Sequence, residues 1–127
     1  VNKLVLALLV WAALASLAAP AAAQEASPAL RGRAEQLVTL LRGQGDPDRL
    51  FTPAFLAQVP PAQVRATARQ LVSQYGAVRA LAGIQVQSPQ AGVIHVEFER
   101  AIVHMNLVVE PQPPGRIAGL LVTGADM

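Results

Sequence analysis

The chain has 127 residues and a mass of 13.3 kDa, room for one domain and no second core, which excludes a multi-domain enzyme and a multi-span membrane protein. Its 53% hydrophobic content is uneven: 19 of residues 1–23 are apolar, against 48 of the remaining 104, a share usual for globular chains. Lys3 is the sole lysine, so beyond residue 23 nine scattered arginines face eight acids, and the lack of any basic block argues against a nucleic-acid partner.

Residues 1–23 have the parts of a cleavable signal peptide. Lys3 supplies the positive start, Leu4 to Leu17 the apolar stretch, and Ala21-Ala22-Ala23 the small residues of a cleavage site before Gln24. The apolar stretch is shorter than the ~20 residues a spanning helix needs, so no stable membrane insertion is expected after cleavage. No cysteine follows it, which excludes a lipoprotein, and none occurs anywhere, which excludes disulfides and thiolate chemistry. Val1 suggests an alternative start codon read literally. The expectation is an exported bacterial protein, periplasmic or secreted, with residues 24–127 forming a single domain.

Ser27-Pro28 is a helix start, and Leu30, Ala34, Leu37, Val38 and Leu41 fall on one helical face before Gly43 and Gly45 end it. Asp46-Pro47 reads as a break. Thr52-Pro53 opens a short helical turn carrying Phe55 and Leu56. Pro60-Pro61 then starts a helix whose face is Val64, Ala68, Leu71, Val72 and Tyr75, closed by Gly76. Ala34-Glu-Gln-Leu-Val38 and Ala68-Arg-Gln-Leu-Val72 lie 34 residues apart. A helical solenoid needs about three such repeats, so the echo reads as two amphipathic helices packing on one sheet.

After Gly76 the period becomes two. Ile84 and Val86 alternate with glutamines, and Ser88 to Gly92 is a turn. Ile94, Val96 and Phe98 form one face of the next strand; Ala101, Val103, Met105, Leu107 and Val109 form one face of the strand after it. Pro111 to Gly115 is a turn, and a last strand runs from Arg116 to about Val122. Helices at about 28–76 followed by antiparallel strands at about 78–122 predict an α+β domain, its helices on one face of a four-stranded antiparallel sheet.

Little in the sequence points to chemistry. No S-x-x-K, G-x-S-x-G, H-E-x-x-H or Gly-rich phosphate loop is present, so no catalytic residue, metal or cofactor is assigned and the protein is not expected to be an enzyme. A hairpin centred on Glu99-Arg100 places Ile94 opposite Met105, Val96 opposite Val103, and His95 opposite His104, with Glu97 next along. Zinc requires three or four ligands, and Glu97 is the only obvious third, so the histidines read as solvent-facing structural residues. Phe51, Phe55, Tyr75 and Phe98 read first as core aromatics. They are also the candidates for lining a small apolar pocket between helices and sheet.

The order of Gly45-Asp46, Phe51, Phe55-Leu56, Val59-Pro60, Leu71, Tyr75-Gly76, Val96-Glu97-Phe98-Glu99 and Arg116-Ile117-Ala118-Gly119-Leu120 resembles a small exported domain of unknown function. That domain has a cystatin-like or NTF2-like cone outline and in bacteria often precedes a serine β-lactamase-type hydrolase domain. The resemblance covers roughly residues 30–122 and implies a non-catalytic accessory module, with the hydrolase domain or a second copy as partner. Where such proteins would continue into the hydrolase, this chain ends at Ala125-Asp126-Met127. The expectation is a stand-alone version or a truncated one.

Overall fold

Ser27 and Pro28 start the first helix as their types predict. Ser27 Oγ accepts a hydrogen bond from the Leu30 N–H at 3.1 Å, and Pro28 sits in the first turn, where its missing N–H has no partner to lose. The computed structural model describes residues 26–127, and the expected signal peptide at 1–23 lies outside the described residues. Helix α1 spans Pro28–Leu41, and its whole predicted face is buried together with Leu40.

Asp46-Pro47 starts a helix as well as ending one. Asp46 Oδ1 accepts from the Asp48 N–H at 3.0 Å and caps a single turn, α2 (Pro47–Leu50). A capping residue followed by proline marks a start as strongly as a stop, and the sequence order alone does not separate the two. Thr52 caps α3 (Pro53–Gln58) through its hydroxyl, which accepts from the Phe55 N–H at 3.1 Å. Helix α4 spans Pro61–Tyr75. Gly76 ends it at φ 91°, and a Cβ there would fall 2.7 Å from Glu99 Cβ. Backbone conformation and close approach both demand glycine.

Four strands follow: β1 (Val78–Ser88), β2 (Ala91–Phe98), β3 (Ile102–Val109) and β4 (Ile117–Asp126), in one antiparallel sheet of order β1-β2-β3-β4. The predicted hairpin register is present, with Ile94 opposite Met105, His95 opposite His104 and Val96 opposite Val103. Strand β4 runs four residues past its expected end at Val122. Val122 pairs with Met105 and Gly124 with His104, so Thr123 is bulged out of the ladder. The bulge resets the alternation and returns Ala125 to the face of Val103.

The protein is thus an α+β domain with an open four-stranded sheet. Ile94, Val96, Phe98, Val103, Met105, Leu107 and Val109 line one face of the sheet and share a single core with the buried face of α1. Each such large apolar side chain contributes about 1.5–3 kcal/mol by leaving water. Helix α4 lies against α1 and α2 and not flat on the strands. Its C-terminal end is pinned to the sheet. Tyr75 meets Phe98 edge-on at a 6.0 Å centroid separation, and the Arg100 N–H donates to the Tyr75 carbonyl at 2.8 Å. On the far side, the Thr52 N–H donates to the Ile117 carbonyl at 2.9 Å, tying the α2–α3 connection to the start of β4. The space between these two attachments stays open.

Candidate functional site

That space is an apolar cleft of about 260 Å³. Leu37, Leu40 and Leu41 of α1 form its back, Val64, Ala68 and Leu71 of α4 one wall, and Met105, Leu120 and Val122 the sheet side. Among the described residues only Gln63 and Thr67 add polar side chains. The cleft follows from how α4 is held. Anchored at Tyr75 and supported by α1, the helix leaves a gap between its Val64–Leu71 face and the strands β3 and β4.

The four candidate aromatics divide into two pairs. Phe51 and Phe55 stack with centroids 4.5 Å apart and planes inclined by 12°, and both line the cleft. Phe51 is fully buried and anchors the stack, while Phe55 is half-buried at the opening. Tyr75 and Phe98 form the other pair, at the pinned end of α4, and do not line the cleft. Sequence reasoning missed Leu71, Leu120 and Val122 as lining residues. The alternation of Leu120 with Leu121 signals a strand, but nothing local says that α4 leaves this part of it uncovered.

On the opposite face of the sheet the two histidines meet as predicted. Their Nδ1 atoms are 2.6 Å apart and the rings are set edge-to-face at 4.8 Å. The residue that joins them is Asp126 of β4, and not Glu97, the one obvious third ligand in the sequence: Asp126 Oδ2 lies 2.8 Å from His104 Nε2. The bulge at Thr123 turns Asp126 to this face, a shift that side-chain alternation does not reveal.

Hydrogen-bond logic places one proton on His104 Nε2. A carboxylate only accepts, so His104 Nε2 donates to Asp126. The Nδ1 contact then holds one proton between the two rings. The chain stitches β2, β3 and β4 together. Two nitrogens bound to one tetrahedral zinc lie about 3.4 Å apart, wider than this contact, and Asp126 occupies the far side of the His104 ring. Among the described residues no three His, Asp or Glu side chains gather as a metal would require, and no hydroxyl hydrogen-bonds either imidazole.

Among the described residues no helix is long and apolar enough to cross a membrane. Comparison with protein-family models, with curated proteins and with solved structures finds no match to this chain.

Proposed function

We propose that this chain is a non-catalytic exported binding domain whose cleft takes a small apolar ligand in the cell envelope. The carrying observation is the open apolar cleft with the Phe51–Phe55 stack at its side. Its volume of about 260 Å³ suits a ring or a short acyl segment, since an apolar cavity of roughly 150 Å³ already holds benzene. The lack of any nucleophile or metal motif in the sequence supports the non-catalytic part of this reading. The test is titration of the full chain with N-phenyl-1-naphthylamine, an uncharged apolar fluorophore. Saturable enhancement, displaced by decanol and lost in Leu71→Arg with the far-UV spectrum unchanged, is expected. Enhancement that Leu71→Arg leaves intact, or none at all, overturns the reading.

A second reading, an accessory module for an envelope serine hydrolase, is favoured by the sheet edges. The β1 edge is covered where Arg42 donates to the Arg79 carbonyl. The β4 edge beyond Ile117 carries no lysine, arginine or proline, and Leu121 and Val122 are 63% and 42% exposed. Such an edge invites an added strand from a partner or a second copy. A concentration-dependent dimer abolished by Leu121→Lys supports the second copy. A strict monomer that also fails to bind a serine hydrolase domain sinks this reading.

A further inference from the structure

The arginines, scattered in sequence, converge in space. Six of the nine line two clefts on either side of the 43–46 loop, and Leu40 borders both. Arg33, Arg49 and Arg116 line the first, of about 690 Å³; Arg42, Arg65 and Arg69 line the second, of about 400 Å³. The loop ties the two together, because Arg65 of the second donates to the carbonyl of Gly45, which lines the first, at 3.2 Å.

The charges are fixed in place without being neutralised. Arg33 donates to the carbonyls of Gly115, Pro114 and Arg49 and to Gln36 Oε1. Arg42 and Arg65 likewise donate to backbone carbonyls. All these acceptors are uncharged. The side chains of Arg49, Arg69 and Arg116 make no hydrogen bond to the described residues, and no arginine pairs with a carboxylate among them. Among the described residues Asp46 is the sole acid lining either cleft, and one of its oxygens already caps α2. The C-terminal end of α1 adds roughly half a negative charge, too little to offset six guanidiniums.

We propose that these two clefts form a binding site for phosphate-type anions, opening apart from the apolar cleft, with which the second shares Leu40, Leu41 and Ala68 as a common wall. Guanidinium groups match phosphate oxygens through paired N–H donors, and anchoring by neutral carbonyls pre-orders three of them before any ligand arrives. The chemistry is shared by free phosphate esters and by lipid phosphate headgroups, and the experiment separates these sources.

The full chain is titrated with pyrophosphate by calorimetry at low ionic strength, and sedimented in parallel with phosphatidylglycerol and phosphatidylcholine vesicles. The comparison protein is the double variant Arg49→Gln/Arg69→Gln. Both residues are exposed and their side chains make no hydrogen bond to the described residues, so the melting temperature serves as the control for folding. Expected is saturable pyrophosphate binding that falls at least tenfold in the double variant and weakens as salt is raised. A soluble ligand predicts that response with pyrophosphate alone. A lipid source adds phosphatidylglycerol-selective sedimentation that the double variant loses. A folded double variant that binds pyrophosphate and vesicles as the parent does overturns the proposal, as does a parent that responds to neither.

Discussion

Helices α1 and α4 carry nearly the same string, Ala34-Glu-Gln-Leu-Val38 and Ala68-Arg-Gln-Leu-Val72, in very different surroundings. Ala34, Leu37 and Val38 are at most 2% exposed; Ala68 is 7% exposed, and Leu71 and Val72 are only half-buried. A binary pattern decides which side of a helix turns inward. It does not decide how much lies on the other side. Helix α1 has the sheet beneath it and α4 alongside, so every apolar position finds a neighbour. Helix α4 has α1 on one flank and the cleft on the other. The difference between the two helices is the cleft.

Core truncation should separate them most. Leu37→Ala removes a side chain that is only 1% exposed and should destabilise by about 3–4 kcal/mol. Leu71→Ala should cost about 1 kcal/mol, because part of that side chain already faces the cleft. Urea unfolding of both variants measures the gap, and equal costs would mean that the cleft is filled in solution.

Enlargement should invert the sign. Ala34→Leu forces extra volume into a closed core and should destabilise by about 1–3 kcal/mol. Ala68→Leu projects into the cleft and should leave stability within about 0.5 kcal/mol or raise it slightly. Thermal melting reads both, and Ala68→Leu should also weaken binding of the apolar fluorophore.

The smallest contrast lies at the helix starts. Ser27 gives α1 a side-chain cap, whereas Pro60 gives α4 none. Ser27→Ala should therefore cost about 1 kcal/mol, and Pro60→Ala only a few tenths. A Pro60→Ala loss as large as that of Ser27→Ala would show that the α4 start is held by contacts beyond its cap.

Much of this architecture is legible in the residues because it rests on local rules. Ser27-Pro28, Thr52-Pro53 and Pro60-Pro61 start their helices where capping chemistry and the proline ring dictate. The β2–β3 register follows from strict alternation, since a slip of one residue would turn Ile94, Val96, Val103 and Met105 to solvent. The same register sets His95 beside His104. Asp126 escapes this logic, because its place depends on a bulge that breaks the alternation. The α2 turn escapes it too, since Asp46-Pro47 serves equally as a stop and a start.

By itself, then, the sequence determines the element types, most of their boundaries, the buried face of each and one hairpin register, all products of contacts within a few residues or across one tight turn. Tertiary structure alone decides how far α4 stands from β3–β4, hence the cleft and the separation of Phe51–Phe55 from Tyr75–Phe98. It alone gathers six scattered arginines around one loop. The physical reason is common to both: side-chain periodicity records orientation about an element's own axis and carries no measure of the distance between elements.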